Sequence, residues 1–488
     1  MDEILNLGRI NFRNQEAVFG IKEDDRRKHI YIIGKSGTGK STLLLNMVSA
    51  DIAAGRGVCL VDPHGETADD VMKRIPENRI DDVIYFNPSD VSFPIAFNPL
   101  ERVSNDMRHL VASGLMSVFK KIWPDVWSAR MEYILNNTLL ALLEYPNSTL
   151  LGIMKMFSDK EYRKQIVDNL HDPVVKSFWV DEFAKYTQKL ETEAVSAIQN
   201  KVGQFIANPL IRNIIGQSKS SFDFRKVMDE GKIFIANLSK GKVGEDNSSL
   251  LGAMVVTKIQ LAAMSRSGTS ADKLRDFYLY VDEFQNFATE SFATILSEAR
   301  KYKLNLTIAH QYIEQIEESV ASAVFGNVGT LIIFRVGPTD AEFLEKEFFP
   351  DFIANDFVNL PNRQIYVKLM IDGMTSKPFS AHTLPPPPLP ETSLIDTIIQ
   401  VSRDKYALSQ EKVEDKIARE YYMDGGSSRQ VEDLIKRKNE VPLGDVLKPS
   451  PMSPKEFPKR ERRQNDDRID VGGLKDIIRK ALDQKKEK

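Results

Sequence analysis

The stretch Gly34-Lys35-Ser36-Gly37-Thr38-Gly39-Lys40-Ser41-Thr42 places two glycines, a lysine and a hydroxyl in the pattern Gly-x4-Gly-Lys-Ser, between the apolar run Ile30-Tyr31-Ile32-Ile33 and the helical pattern Leu43-Leu44-Leu45-Asn46-Met47-Val48. Glycines let the backbone curl until successive N–H groups point at phosphate oxygens. The helix that follows adds its positive dipole end, and Lys40 adds a point charge. Ser41 is placed to ligand magnesium, so ATP and Mg2+ are the expected ligands. A second stretch, Tyr278-Leu279-Tyr280-Val281-Asp282-Glu283-Phe284, ends an apolar run on two carboxylates. Asp282 is the expected magnesium partner, and Glu283 can take a proton from the attacking water, which favours hydrolysis over nucleotide storage. A third run, Leu304 to His310, ends at Gln311, whose amide would sense the gamma phosphate if these strands are neighbours.

Residues that are to converge in this way need strands whose carboxyl ends share one edge. Strand-like runs recur at Ile30–Ile33, Val58–Asp62, Val83–Asn87, Ile233–Leu238, Phe277–Asp282, Leu304–His310, Thr330–Val336 and Ile365–Met370, with helical patterns between them. This is the signature of an α/β protein with a mainly parallel sheet. From about Val103 to Val227 the helical period takes over, which predicts an all-helical domain inserted into the sheet domain. The expected organisation is a short strand hairpin in 1–28, a nucleotide-binding motor domain in 29–102 and 228–384, the helical insertion in 103–227, and a tail in 385–488. Within that tail, Pro385 to Pro390 must be extended. Helices are expected around Ser393–Arg403 and Glu411–Tyr422, a disordered stretch from Pro442 to Arg468, and an amphipathic segment at Leu474–Leu482.

The 488 residues allow about three domains, and the single cysteine, Cys59, rules out an internal disulfide, which fits a reducing cytoplasm. The longest apolar stretch, Leu250 to Met264, is broken by Lys258 and Gln260, so no intrinsic membrane span is expected. A net charge of -3 gives the molecule no overall positive field. Any nucleic-acid contact must use a local basic surface.

The order of phosphate loop, helical insertion, Asp282-Glu283 and strand-ending Gln311 resembles the HerA/FtsK superfamily of RecA-like ring motors, and within it the TraD/TraG class of type IV secretion coupling proteins. The resemblance also rests on Val61-Asp62-Pro63-His64-Gly65-Glu66, Phe97-Asn98-Pro99-Leu100, Asn237-Leu238-Ser239-Lys240-Gly241 and Val281-Asp282-Glu283-Phe284-Gln285-Asn286-Phe287. It covers roughly residues 15 to 384. It implies a RecA-like P-loop fold, a homo-oligomeric, hexameric ring around DNA, and secretion-channel or relaxosome proteins as partners. A guanine-reading Asn-Lys-x-Asp element is absent from its expected position, and no ABC-type signature lies between the phosphate loop and Asp282-Glu283. Members of these classes usually begin with transmembrane helices or a β-barrel, and barely thirty residues precede Gly34 here. The expected location is therefore the cytoplasm, with any contact to the inner membrane made through a partner.

Ring motors donate an arginine to the neighbouring subunit's gamma phosphate, which is worth roughly 10³ to 10⁵ in rate. Arg300 is the first candidate, since the family often carries its finger there. Arg335 is the second and Arg130 a weaker third; for each, an ordinary surface ion pair is the competing explanation. Lys240 and Lys242, in a glycine-containing stretch after a strand, are candidate DNA-phosphate contacts, and a solvated surface loop fits them equally. The stretch Asp62 to Glu66 could relay nucleotide state or position water. His64 has no companion at metal-ligand spacing. The expected activity is ATP-driven DNA translocation. A protein-secretion or pilus-assembly ATPase, or a nucleotide-gated platform that recruits cargo, remain alternatives.

Overall fold

The computed structural model describes residues 4–12, 15–101 and 103–423. Thirteen strands are found among them: β1 (Ile4–Phe12), β2 (Gln15–Lys22), β3 (Ile30–Ile33), β4 (Gly57–Asp62), β5 (Val83–Phe86), β6 (Ile233–Asn237), β7 (Phe277–Val281), β8 (Leu304–His310), β9 (Thr330–Ile333), β10 (Gln364–Lys368), β11 (Met370–Ile371), β12 (Met374–Thr375) and β13 (Phe379–Thr383). Eleven of them make one sheet in the order β2-β1-β13-β10-β9-β3-β8-β7-β4-β6-β5. From β9 to β5 every neighbouring pair is parallel. From β9 outward to β2 every pair is antiparallel.

The parallel strands are apolar on both faces because both faces are covered. Tyr31, Ile33, Cys59, Val61, Leu279, Val281 and Ile308 face one hydrophobic cluster, while Ile30, Ile32, Val58, Leu60, Tyr278, Tyr280 and Ala309 face another. The first cluster is continuous with the helical insertion, whose helices include Arg108–Ile122, Ala129–Glu144 and Gln188–Ala207. Side chains start several of these helices: Ser128 accepts the Met131 N–H, and Asp159 accepts those of Glu161 and Tyr162. The helical span Glu245–Gly268 is, by length and composition, long and apolar enough to cross a membrane, yet most of its apolar stretch is buried inside the protein. Here its hydrophobicity is used for packing.

The amino-terminal hairpin extends the sheet at one edge. Gly8 and Arg9 of β1 pair with Thr383 and His382 of β13, a strand that the sequence pattern did not single out. The prolines after β13 run past the nucleotide-side helix Lys40–Ala53, whose Asn46 donates to the Leu384 carbonyl, and past Arg74, which follows the helix Glu66–Met72 and donates to the Pro387 carbonyl. Next, the helix Ile395–Tyr406 covers the edge strand β5, and the Ser402 hydroxyl takes the Tyr85 N–H at 2.9 Å. An otherwise open strand edge is thereby closed. The helix Gln410–Met423 places Val413 and Ile417 against Leu151 of the insertion. The expected disordered stretch Pro442–Arg468 and the amphipathic segment Leu474–Leu482 lie outside the described residues.

Candidate nucleotide site

The parallel strands bring the predicted residues to one edge of the sheet. β3 runs directly into the phosphate loop, which leads into the helix Lys40–Ala53. Gly39 has φ 121°, a conformation that side-chain-bearing residues rarely adopt. At Gly34 a Cβ would stand 2.4 Å from the Phe334 Cβ, so only glycine lets the loop pass so close to the chain that leaves β9. The ends of the neighbouring strands hold the loop. Gly34 N–H donates to His310 O at 3.3 Å, Lys35 N–H to Arg335 O at 2.8 Å, and Arg363 N–H to Thr38 O at 2.9 Å.

Lys40 is buried and its ammonium donates to the Gly34 carbonyl at 2.6 Å. Burial lowers its pKa, and the charges of Glu283 and Asp282 work in the opposite direction. Ser41, in the first turn of the helix, is exposed. Asp282 follows β7 and is buried; its pKa is pushed up to about 7 by burial first, then by the charges of Asp62 and Glu283. Asp62, at the end of the adjacent β4, is fixed by N–H groups of His64 and Ala68 at 2.8 and 2.9 Å, so it anchors the start of the helix Glu66–Met72. Two buried carboxylates repelling each other beside a loop of backbone N–H groups make a site that gains from an incoming cation.

Glu283 adopts a left-handed conformation, φ 46° and ψ 52°, that is uncommon for a glutamate. Gln311 Nε2 donates to one of its carboxylate oxygens at 2.7 Å, and Gln285 Nε2 to the other at 2.7 Å. β7 and β8 are adjacent, as the predicted role of Gln311 requires. Among the described residues no group of three or more His, Cys, Asp or Glu is arranged to hold a metal by itself. Magnesium in phosphate sites needs no such group, because phosphate oxygens and water complete its shell around one or two protein oxygens. The exposed Ser41 hydroxyl and the Asp282 carboxylate are a donor set of that kind.

The other candidates are dispersed. Arg335 lies at the same edge and donates to Asn362 at 2.9 Å. Arg300 is exposed in the turn Ala299–Tyr302 before β8, at the opposite, amino-terminal edge of the parallel strands. Arg130 is exposed on the helical insertion. Lys240 and Lys242 fall in a one-turn helix, Lys240–Val243; Lys242 is exposed, whereas the Lys240 ammonium bonds to Asn286 and Glu245. Three site residues had no role in the sequence reading. Gln285 and Asn286 lie in a stretch already noted, but their contacts depend on the turn taken at Glu283. Arg363, with φ 66°, reaches the loop from a distant part of the chain, and no local pattern marks it.

Fold and site together define a RecA-type P-loop protein. A model of the family described as Type IV secretory system Conjugative DNA transfer matches residues 5–329, and the chain belongs to that family. The chain is 21% identical over 382 residues to the Type 4 coupling protein DotL of Legionella pneumophila subsp. pneumophila (strain Philadelphia 1), covering 65% of this chain and 48% of DotL. It thus spans about half the length of that curated relative. Among solved structures, the fold is similar to that of the plasmid coupling protein TrwB in complex with the ATP analogue ADPNP, with a TM-score of 0.55, 15% identity, and coverage of 80% of this chain and 96% of TrwB. For TrwB with ADP and Mg2+ the TM-score is 0.54 at 15% identity, with coverage of 77% and 89%.

Proposed function

We propose that this protein hydrolyses ATP with magnesium and uses the energy to move DNA through a ring of identical subunits during conjugative transfer. The observation that carries the reading is the bond from Gln311 to Glu283, formed at the sheet edge where the phosphate loop and Asp282 also end. In this reading the loop's N–H groups and Lys40 would bind the phosphates, and Ser41 and Asp282 would hold magnesium, which would supply charge neutralisation at the phosphates. Glu283 takes the proton of the attacking water. Gln311, which shares that carboxylate, would exchange it for the gamma phosphate and so report its presence.

Support for DNA as cargo comes from family membership, and support for nucleotide with Mg2+ from the TrwB complexes. Arg300, exposed at the far edge, suits a residue that acts on a neighbour's nucleotide; Arg335, whose carbonyl holds Lys35, suits a role in its own site. Lys242 is the better exposed of the two lysines for a DNA phosphate. The test is ATP turnover by the purified chain with and without DNA, alongside its mass in solution with a non-hydrolysable nucleotide. DNA stimulation that falls steeply with salt, together with a nucleotide-dependent oligomer, is the expected result. Cargo-protein binding without DNA stimulation would replace the motor by a recruiting platform.

A further inference from the structure

Glu283 is held at its backbone as well as at its carboxylate. Its carbonyl accepts the Asn286 side-chain amide at 2.8 Å and the Asn286 backbone N–H at 3.0 Å. The other end of the Asn286 amide, its carbonyl oxygen, accepts the Lys240 ammonium at 2.8 Å. Lys240 is fixed in turn: its ammonium also reaches Glu245 at 3.0 Å, and its backbone N–H donates to Pro63 O at 2.8 Å. Only 22% of its side chain is exposed.

The order of donors and acceptors makes this chain of contacts directional. An ammonium can only donate, so Lys240 decides which end of the Asn286 amide faces it. The amide N–H₂ is thereby turned toward the Glu283 carbonyl. That carbonyl belongs to a non-glycine residue in the left-handed region, a conformation that persists only where its surroundings enforce it. Without the ammonium the outer end of the Asn286 amide loses the donor that fixes its rotamer, so the amide can swing away from the Glu283 carbonyl, which is then left with the Asn286 backbone N–H and is held less firmly.

We propose that Lys240 is a positioning residue for hydrolysis: through Asn286 it holds the backbone of Glu283 in the left-handed turn that presents the carboxylate to the nucleotide. The role rests on Glu283 being the base. It also gives Lys240 and Lys242 different tasks although they share one turn of helix, since the ammonium of Lys240 is engaged inside the protein.

The experiment is steady-state ATP turnover by the full chain without DNA, at saturating magnesium. Lys240→Met keeps the apolar stem and removes the donor; kcat is expected to fall ten-fold or more with KM for ATP unchanged. Lys240→Arg keeps a donor-only cation and is expected to recover most of that loss. Asn286→Asp still accepts from Lys240 but cannot donate to the Glu283 carbonyl, and should lose as much as Lys240→Met. If Lys240→Met fails to fold, Asn286→Asp decides the matter, because its ion pair with Lys240 retains the packing. The double variant should be no slower than either single one.

Losses that multiply in the double variant, or a Lys240→Met protein with normal DNA-free turnover and only weakened DNA binding, would overturn the proposal. Normal turnover in Glu283→Gln is a separate outcome: it would remove the base itself, and with it the premise.

Discussion

The two edges of the parallel sheet bury the same kinds of charge and treat them in opposite ways. At the amino-terminal edge, Asp51 in the last turn of the nucleotide-side helix is fully buried, and Arg26 meets it with two bonds of 2.8 and 2.6 Å. Tyr280 donates to the same carboxylate, Arg56 approaches it at 3.1 Å, and the Arg26 guanidinium stacks 3.8 Å from the centre of the Tyr278 ring. At the carboxyl-terminal edge Asp62, Asp282 and Glu283 are just as buried, and among the described residues none of them forms a salt bridge. Their partners are backbone N–H groups and glutamine amides. At one edge the charges are closed within the chain; at the other, where the site is proposed, they lack such counterions and would suit an incoming cation and phosphate.

The largest test of this contrast removes the chemistry and leaves the fold. Glu283→Gln keeps the size and an acceptor for Gln311 but not the base. Turnover should fall about 10² to 10⁴-fold while nucleotide binding and the thermal midpoint stay as they are. Arg300→Ala should also abolish turnover and retain ATP affinity. If Arg300 serves a neighbour, mixing the two inactive variants restores part of the activity, because some interfaces then combine an intact base with an intact arginine. A mixture as inactive as its components would place Arg300 outside the site.

The amino-terminal edge predicts the reverse pattern. Asp51→Asn leaves the Arg26 charge buried without its counterion, so denaturant unfolding should show a loss of about 3 to 5 kcal/mol. KM for ATP should not change in the protein that remains folded. The double replacement Arg26→Met with Asp51→Leu removes both charges and should recover most of the stability. If Asp51→Asn instead alters nucleotide affinity with little effect on stability, the division of labour between the edges is wrong.

Each edge also buries one neutral histidine, and these predict a shared sensitivity to acid. At the amino-terminal edge His29 accepts the Leu306 N–H at 3.2 Å and lies 3.2 Å from the Leu296 carbonyl; at the carboxyl-terminal edge His310 precedes Gln311. Burial, the main cause for both, lowers each pKa from 6.5 to about 4. Below pH 6.5 the unfolded chain takes up protons that the folded one refuses. Stability is therefore intact above that value and lost as pH falls toward 4, by about 3 kcal/mol per histidine. His29→Asn, which tolerates the positive φ at this position, should flatten the acid limb of an unfolding-versus-pH curve. An unchanged limb would mean that His29 is protonated in the fold.

How far the sequence disclosed all this depends on the range of the contacts. The shape of the phosphate loop was legible because it is carried by consecutive residues and by backbone geometry that glycine spacing announces. Asp282, Glu283 and Gln311 could be read because parallel strands carry their last residues to a common edge, whichever strands are neighbours. Asp51 could not be distinguished from a surface carboxylate on a helix. Its partner Arg26 lies before β3, and only the return of the helix to the amino-terminal edge brings them together. Likewise β13 and Arg363 depend on how the antiparallel strands close on the sheet, and Lys240 looked free until Asn286 was placed beside it.

The subtlest test is a change of sign. Asp51→Asn should destabilise, whereas Asp282→Asn should stabilise the protein in the absence of nucleotide and magnesium, because it removes a charge that burial and two neighbouring carboxylates oppose. The sign follows from linkage. The folded pKa, about 7, stands above the value of 3.8 for a free carboxylate, so the fold resists ionisation of this group throughout that interval. The gain from the amide is therefore absent below about pH 4 and greatest above pH 7, where it should reach about 1 to 2 kcal/mol once the poorer bonding of the amide is allowed for. The same variant should lose the additional stabilisation that magnesium with nucleotide gives the parent protein. A destabilised Asp282→Asn would mean that the carboxylate already has its counterion within the chain, and the two edges would then differ only in which cation each contains.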